Sequence, residues 1–599
     1  MNRTGWQCTQ RQTCSGRTPF PYPPGGSGSN DPQSLPPHPR IPRIPRTPRI
    51  QQTSQRQVLI WLWLIPMFLA SLASTSYAAE FDYRTYGAAE ARKVSREPKR
   101  WVTTDHSKHA ALNQQFSSPE EVTKACLGCH NEAALQVHQT IHWTWIDPAD
   151  SNQTMGKNGL TLNNFCIAIH SNEPRCTSCH AGYGWKDASF DFSSQEKVDC
   201  LVCHDTTGTY KKFPTMAGYP VSAATPFGKE TFLPPDYRTI AANVGRPSRT
   251  NCGTCHFYGG GGDGVKHGDL DSSMLKPSRD LDVHMNAEGA NFSCQRCHST
   301  EAHFIAGRTY KKPAYTNRAS LIEDDLVKRI SCESCHTDKP HKTGHKANDH
   351  TDRVACQTCH IPAYARVLPT KLEWDWSEAG KLKDGKPYKI QGDYGRPSYD
   401  SQKGVFVWGT NVEPEYHWYN GRMDYVLATD TIDPTQVVRL NRVLGERADP
   451  DARIAPFRVH RGKQPYDSVN NTMAIPHLFG KDDTAYWTNF NWGKALTTGM
   501  QAAGIPYSGE YGFVSTEYHY PITHMVAPKA KALRCSACHS REGRLASLAG
   551  FYMPGRDRDD TLDTVGWLTA LAALAGVTGH GLLRMVSRRK HEQEEHHDR

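Results

Sequence analysis

A five-residue signature, Cys-x-x-Cys-His, occurs eight times in this chain of 599 residues and limits what the chain can fold into. In chain order, motifs 1 to 8 are Cys126-Cys129-His130, Cys176-Cys179-His180, Cys200-Cys203-His204, Cys252-Cys255-His256, Cys294-Cys297-His298, Cys332-Cys335-His336, Cys356-Cys359-His360 and Cys535-Cys538-His539. Two thiols at this spacing can form thioethers to the vinyl groups of a haem, and the adjacent histidine can bind its iron as proximal ligand. Zinc sites and disulfides do not explain a histidine after every pair. The sequence therefore predicts eight covalently bound haem c groups.

The composition agrees with a chain that wraps cofactors instead of building one large core. Only 37% of the residues are hydrophobic and the mean hydropathy is -0.65, while 47 glycines and 39 prolines indicate many loops. Motifs 2 and 3, and motifs 6 and 7, start 24 residues apart, which predicts two closely apposed haem pairs. The long stretch between Cys359 and Cys535 has no motif but many aromatic residues, and we expect it to pack around the haems.

The N-terminal region reads as a targeting region. Residues 1–57 are rich in proline and arginine, which predicts disorder. A long extension before a signal segment is unusual, so it is either a real pre-segment or the result of a wrongly assigned start codon. Residues 58–78 combine an apolar stretch with small residues and predict a signal peptide cleaved before Ala79. A transmembrane anchor is the alternative interpretation of this segment. The net charge of +9 comes mostly from the N-terminal arginines, so it does not indicate a nucleic-acid partner.

The C-terminal region predicts a membrane anchor. Residues 561–585 are long and apolar enough to cross a bilayer, and residues 586–599 form a basic tail that the positive-inside rule places in the cytoplasm. Residues 79–560 would then lie in the periplasm, on the extracytoplasmic face of the cytoplasmic membrane. His580 lies inside the span, either as a functional group or as a helix-packing hydrogen bonder.

Further histidines are needed if the haems form an electron-transfer chain, because each iron then carries a second, distal histidine. Seven histidines in short contexts beside the motifs are the candidates, and counting alone does not assign them to individual haems. His106 is a close rival of His109 as a distal ligand, and His341 and His345 are close rivals of His350. The seven candidates are His109, His142, His267, His284, His303, His350 and His524.

From Trp101 to Arg556 the chain resembles the octahaem tetrathionate reductase family of multihaem cytochromes c. The resemblance rests on the motif spacing, on "HWTW", on "NNFCIAIHSNEPRCTSCHAGYGWKD", on "VACQTCHIP" and on "GFYMPGRD". It implies a mainly α fold with extensive irregular loops around eight haems. It also implies seven bis-histidine haems and one active-site haem, on motif 2, whose distal ligand is a lysine. Lys157 is the lysine in the matching segment upstream.

The same resemblance implies an enzyme that reduces a small inorganic anion, tetrathionate or nitrite, or hydroxylamine. Cys166 is the unpaired cysteine left when the signal removes two of 19 and the motifs take 16, so it is either a reactive thiol or a small buried hydrophobic residue. Asn163, Asn164 and Tyr183 are candidates for hydrogen bonds to a bound oxyanion, with structural roles as the alternative.

Three functions remain open at this stage. The first is the reductase, supplied by a membrane cytochrome b or another quinol-linked electron donor. The second is a non-catalytic electron conduit with eight bis-histidine haems. The third is the reverse reaction, oxidation of hydroxylamine or reduced sulfur. The membrane span favours coupling to quinol oxidation, and hence reduction.

Overall fold

The computed structural model describes residues 104–147, 150–307 and 331–597. The predicted N-terminal extension and signal peptide lie outside the described residues. The elements form a body that carries all eight motifs, followed by one long C-terminal helix.

Most of the described helices are short, and many of them carry a motif. Pro119–Leu127 (α1) contains the first cysteine of motif 1, and Ser118 caps its first turn by accepting from the Glu121 amide. The helices are α1, Ala133–His138 (α2), Ile141–Thr144 (α3), Glu173–Cys176 (α4), Cys200–His204 (α5), Tyr237–Ala242 (α6), Arg249–His256 (α7), Glu333–His336 (α8), Cys356–His360 (α9), Tyr486–Asn489 (α10), Trp492–Ala502 (α11), Cys535–Cys538 (α12) and Asp560–His597 (α13).

Seventeen strands are described, most of them in the region without motifs. They are Thr225–Phe227 (β1), Glu230–Phe232 (β2), Thr300–Glu301 (β3), Phe304–Ile305 (β4), Thr370–Asp375 (β5), Leu382–Lys383 (β6), Lys386–Pro387 (β7), Lys389–Gln391 (β8), Pro397–Asp400 (β9), Gly404–Gly409 (β10), Glu415–Tyr419 (β11), Met423–Tyr425 (β12), Val438–Arg439 (β13), Asn441–Val443 (β14), Arg453–Asp467 (β15), Thr472–Met473 (β16) and Tyr511–Pro521 (β17).

Nine of these strands form one sheet in the order β13-β17-β15-β5-β10-β9-β8, with β11 and β16 paired on β15. The long strand β15 pairs antiparallel with β17 and parallel with β5. Aromatic residues of the sheet, such as Trp374 and Phe406, pack with α11 into the largest buried cluster. The expectation of a mainly α fold is therefore not confirmed, because the stretch without motifs is rich in β-forming aromatic and β-branched residues.

The last helix, α13, differs from all the others in length and exposure. Within it, Asp560–Lys590 is the one span among the described residues that is long and apolar enough to cross a membrane. Its large apolar residues, including Trp567 and Leu571, are exposed. The predicted span 561–585 lies inside this helix.

Candidate functional site

The motif segments are held by local capping as well as by packing. The Asp199 carboxylate accepts from the Val202 amide at 3.0 Å and so caps α5, which carries motif 3. Ser248 and Asn251 form a capping box at the start of α7, which carries motif 4. Residues three apart lie on one side of a helical turn, so both thiols of a motif face the same space.

The cysteine side chains of different motifs meet in a continuous series. Four pairs of thiols lie close enough to shift each other's pKa through direct side-chain interaction: Cys126 with Cys200, Cys179 with Cys255, Cys252 with Cys294, and Cys332 with Cys356. These thiols occupy the positions of the thioether sulfurs in the haem-loaded protein. Two further pairs interact electrostatically: Cys297 with Cys335, and Cys359 with Cys538.

These contacts connect all eight motifs. Motif 1 meets motif 3 and motif 2 meets motif 4, while Cys203 of motif 3 interacts with Cys252 of motif 4. From motif 4 the series runs through motifs 5, 6 and 7 to motif 8. Of the two pairs predicted from spacing, motifs 6 and 7 interact through their thiols, whereas the thiols of motif 2 interact with motif 4, and those of motif 3 with motifs 1 and 4.

Seven of the eight motif histidines face a second histidine. Two imidazoles bound to one metal, with bonds of about 2 Å each, have ring centres about 6 Å apart. The observed separations of the ring centroids are His106–His130 6.3 Å, His142–His256 6.2 Å, His204–His303 6.4 Å, His284–His336 5.8 Å, His298–His524 6.2 Å, His341–His360 6.2 Å and His350–His539 6.1 Å. This spacing fits an iron atom between each pair.

The pairs bring together five of the seven histidines expected from sequence as distal ligands. His109 instead lies 6.0 Å from His106, which is the residue that faces motif 1. His267 packs 5.6 Å from the ring of Tyr520. His341, named only as a rival of His350, faces motif 7, and His350 faces motif 8. Sequence alone could not separate such rivals, because histidines a few residues apart have similar contexts.

Motif 2 is different, because the ring contacts of His180 among the described residues are all with tryptophan and phenylalanine. These rings are Trp143, Trp145, Trp185, Phe190 and Phe192, at centroid distances between 4.9 and 6.3 Å. Burial lowers the pKa of His180 to about 3, so the imidazole stays neutral, which is the form that binds a metal.

A backbone carbonyl holds one nitrogen of the His180 ring. One ring nitrogen, Nε2, lies 2.7 Å from the Trp143 carbonyl oxygen, and Nδ1 is buried without a hydrogen-bond partner. Binding of a metal through Nε2 would require the His180 side chain to turn away from this carbonyl, whose partner could then be Nδ1. In motifs 3, 5 and 8, Nδ1 of the histidine already pairs with a backbone carbonyl, at Gly245, Ala306 and Pro554.

Besides Lys212, which donates to the His180 carbonyl and pairs with Asp199, two further lysines reach the surroundings of motif 2. The Lys157 ammonium lies 4.6 Å from the centre of the Trp145 ring, and it interacts electrostatically with Cys176 and Cys179. Lys266 also interacts with Cys179, and burial, aided by the charge of Lys157, lowers its pKa to about 7. A neutral amine is the form that can bind iron.

Lys266 was not among the site residues predicted from the sequence, although it follows a glycine-rich run in "GGGGDGVKH" that indicates a tight loop. A side chain at Gly259 would meet Cδ of Lys266 at 3.0 Å, so the glycine leaves room for the lysine. Gly260 and Gly261 have φ of +74° and +94°, which glycine adopts without strain. The glycine run thus permits the tight loop that brings Lys266 towards motif 2.

Cys166 lies half-buried beside motif 2, where it interacts electrostatically with Cys176. The Asn163 side chain accepts from the amides of Phe165 and Cys166, at 2.9 and 3.2 Å, and so fixes the turn that presents the thiol. Burial raises the pKa of the Cys166 thiol, while Lys403, Arg175 and Lys371 oppose that rise. The thiol is therefore surrounded by cations.

Lys371 is notable among these cations because its side chain is enclosed by aromatic rings. Its ammonium lies 3.5 Å from the centre of the Trp374 ring and 3.8 Å from that of Phe406. The residue is only 5% exposed, and burial holds its pKa well below the ordinary value. Burial thus favours the neutral amine; when Lys371 is protonated, it would attract an anion strongly, since little water screens it, and a bound anion would in turn favour the protonated form.

The other two residues expected to bind an oxyanion are fully buried. The Asn164 amide donates to the backbone carbonyl of His460 at 2.8 Å, and its Oδ1 has no hydrogen-bond partner. The Tyr183 hydroxyl donates to Asp199 at 3.2 Å and contacts Thr123. The structure thus places Tyr183 in a network with Asp199, and Asn164 against β15.

Comparison with known proteins agrees with this geometry. A solved structure, an octaheme cytochrome c from Shewanella oneidensis, is 45% identical with a TM-score of 0.65, over 74% of this chain and 95% of that one. The chain belongs to the octahaem c-type cytochromes. Family models for bacterial cytochrome c and for cytochrome c7 and related cytochrome c match residues 371–542 and 277–361 of this octahaem cytochrome. An uncharacterized protein of Archaeoglobus fulgidus is 24% identical over 281 residues, 40% of this chain and 90% of that one.

Family membership confirms the covalently bound haem c that the motifs predict, and eight motifs agree with an octahaem relative. The side chains of the motifs also fit covalently bound haem, independently of the family comparison. Each motif offers two thiols and a histidine, and seven motif histidines face a second ring at a distance that one iron can span. This octahaem cytochrome is therefore a multihaem protein of electron transfer and redox chemistry.

Proposed function

We propose that this octahaem cytochrome is a membrane-anchored, extracytoplasmic reductase of a small inorganic anion, with motif 2 as its catalytic centre. The observation that carries the proposal is the contrast between motif 2 and the other seven motifs. His180 has aromatic neighbours, while every other motif histidine faces a second histidine. A haem held by two histidines suits electron transfer, whereas a catalytic haem needs a displaceable sixth ligand.

An amine supplies that ligand in the proposal. Lys157, implied by the family resemblance, and Lys266, found in the structure, both interact with Cys179 of motif 2. The lowered pKa of Lys266 favours this residue, because more of its amine is neutral at pH 7. With Lys266 as the ligand, the ammonium group of Lys157 would be left beside motif 2, where it would attract an anion.

Substrate recognition is assigned to the cations around Cys166. Lys371, Lys403 and Arg175 each interact electrostatically with the Cys166 thiol, beside motif 2. Lys403 and Arg175, together with Lys371 when an anion holds it protonated, favour a compact anion over a neutral or cationic molecule. Tetrathionate and nitrite are compact anions, and hydroxylamine is a neutral alternative substrate. Cys166 could hold a sulfur substrate by thiol exchange, which is possible only for a substrate with an S–S bond.

In this proposal, electrons reach motif 2 along the series of neighbouring motifs whose cysteine side chains interact. Bound haem supplies the redox chemistry, and the chain's own residues fix the order of the haems and keep water from them. The helix α13 anchors the protein in the membrane, with its basic C-terminal end in the cytoplasm.

A non-catalytic electron conduit is the second candidate function, and the same contact series favours it. Film voltammetry of the haem-loaded protein separates the two. We expect catalytic reduction currents with tetrathionate, nitrite or hydroxylamine, and Cys166→Ser should weaken only the tetrathionate current. Currents with none of these compounds, at any potential in the range of the haems, would identify a conduit.

A further inference from the structure

The start of the C-terminal helix is fastened to motif 8. The Arg541 guanidinium forms a 2.7 Å ion pair with Asp560, the first residue of α13. Arg541 also donates to the Arg558 carbonyl at 3.2 Å, and Arg558 pairs with Asp563 at 2.5 Å. Arg541 follows the motif histidine, His539, by two residues, so its backbone lies within about 7 Å of that residue, and its side chain joins this part of the chain to the first residue of the helix.

The segment between motif 8 and the helix is folded rather than extended. His539 donates from Nδ1 to the Pro554 carbonyl at 2.8 Å. Arg556 donates to the carbonyls of Leu545 and Phe551, at 3.2 and 2.5 Å. Met553 is 4% exposed and packs in a buried cluster with Leu545. The helix is therefore attached to motif 8 without a loose linker.

The polar first turn of α13 sets the depth of the motif relative to the bilayer. At a rise of about 1.5 Å per residue, the first continuous apolar residue, Val565, lies about 7.5 Å along the axis from Asp560. A head-group layer is about 5–8 Å thick on each side of the hydrocarbon. With α13 inserted in a bilayer from Val565 onwards, Asp560 would lie at the outer edge of the head groups, and the Arg541–Asp560 ion pair would hold motif 8 near that edge. Tyr552, which is 71% exposed in the folded segment between motif 8 and the helix, suits a membrane interface.

We propose that electrons enter this chain at motif 8, from a membrane-embedded, quinol-oxidising donor that docks on the surface around Arg541, Glu542 and Tyr552. The inference rests on the proposed membrane anchor and adds where the donor docks. Motif 8 meets motif 7 through Cys359 and Cys538, and the series continues from there to motif 4 and motif 2. Motif 1, which meets motif 3, lies at the other end of the series.

Electron transfer from the membrane donor to motif 8 involves no change in covalent bonding. The donor loses one electron in each transfer, the haem site of motif 8 gains it, and no bond forms or breaks. Two such transfers correspond to oxidation of one quinol to a quinone with release of two protons. Electron transfer weakens steeply with distance, so the motif fixed at the membrane surface is the one that a membrane-embedded donor can reach.

Two matched glutamates allow a direct test with the full-length, haem-loaded protein. Glu542 is exposed and follows His539 of motif 8, and Glu132 is exposed and follows His130 of motif 1. Glu542→Cys and Glu132→Cys are each made in a background in which Cys8, Cys14 and Cys166 are replaced by serine, so that only the introduced thiol takes a bulky maleimide-linked polyethylene glycol. The proteins are reconstituted into phospholipid vesicles that contain reduced dihexadecyl viologen as the membrane-confined reductant, and haem absorbance is followed by stopped flow.

The label at position 542 should abolish the fast phase of reduction by the vesicle-bound viologen and leave reduction by soluble dithionite unchanged. The label at position 132 should leave both unchanged. A nitroxide at position 542, and not at position 132, should also relax faster when nickel-chelating lipid is added, a readout that needs no electron transfer.

The opposite pattern overturns the inference: an unchanged fast phase with the label at position 542, or its loss with the label at position 132. Flotation of the unlabelled protein with the vesicles distinguishes failure of the proposed docking site from failure of the proposed membrane anchor. Protein that floats with the vesicles but shows the opposite pattern contradicts only the docking site. Protein that does not float contradicts the membrane anchor of the proposed function, and the docking site with it.

Discussion

Lys212 and Asp199 form a 3.1 Å ion pair whose side chains are 2% and 0% exposed. The Lys212 ammonium also donates to the carbonyls of His180 and Gly182, and Asp199 accepts from the Tyr183 and Tyr210 hydroxyls. The pair therefore joins the backbone at motif 2 to the cap of the helix that carries motif 3. It gives Tyr183 a structural partner next to the proposed catalytic centre.

Removal of one partner of this pair should destabilise the body of the protein. Lys212→Met leaves the Asp199 carboxylate buried without its cation, which costs about 3–5 kcal/mol. We expect a clear fall in the apparent Tm, measured by circular dichroism, and partial recovery in the double variant with Asp199→Asn. Lys124→Met is the control, because the Lys124–Glu196 pair is exposed and should not change the Tm measurably. Equal Tm values for the two lysine variants would argue against a structural role for the buried pair.

The histidine pairs predict which of two neighbouring histidines affects motif 7. His341 faces His360 at 6.2 Å, whereas His345 packs against His341 at 5.6 Å. We expect His341→Ala to convert one low-spin haem to a high-spin form in the electron paramagnetic resonance spectrum. His345→Ala should leave that spectrum as it is. A high-spin signal from His345→Ala alone would assign the ligand to the other residue.

The same comparison applies at motif 1, where the residue named from sequence is not the one that faces the motif. His106 lies 6.3 Å from His130, and His109 is hydrogen-bonded to Thr104 at 2.8 Å. His106→Ala should therefore change the spectrum of one haem, and His109→Ala should change none. The assignment of His106 fails if the two variants give the reverse result.

Alkylation of Cys166 should be slow at neutral pH and rise at unusually high pH. Burial raises the pKa of this thiol, so less thiolate is present at a given pH than for an ordinary cysteine. We expect the rate of reaction with iodoacetamide, followed by mass spectrometry, to increase only as the pH passes above the ordinary thiol range. Lys371→Met removes a cation that favours the thiolate and should shift this rise to still higher pH. A rise at or below the pH at which glutathione reacts would contradict the burial of the thiol.

The sequence predicted the chemistry of this protein better than its architecture. A covalent motif names its own cofactor, so the eight haem sites followed directly from the residues, and family membership confirms the haem c. The nine-stranded sheet did not follow, because the aromatic residues between Cys359 and Cys535 suit both a haem-packing loop and a strand.

The residues around motif 2 also show how far the site could be predicted from the sequence alone. Cys166 could be singled out by counting cysteines, and the structure places it beside Cys176. Lys266 lies 86 residues after His180 in the chain and meets motif 2 only through folding of the glycine loop. Contacts between residues so far apart in sequence depend on the tertiary fold, which local patterns do not encode.

The central claim, that motif 2 carries a haem without a second histidine, is tested most directly by near-infrared magnetic circular dichroism of the oxidised, haem-loaded protein. The energy of the charge-transfer band distinguishes bis-histidine from histidine–amine ligation. We predict seven bis-histidine haems and one histidine–amine haem, whose band is lost in Lys266→Ala or in Lys157→Ala, but not in the control Lys403→Ala. Eight bis-histidine haems, unchanged in all three variants, would contradict the account.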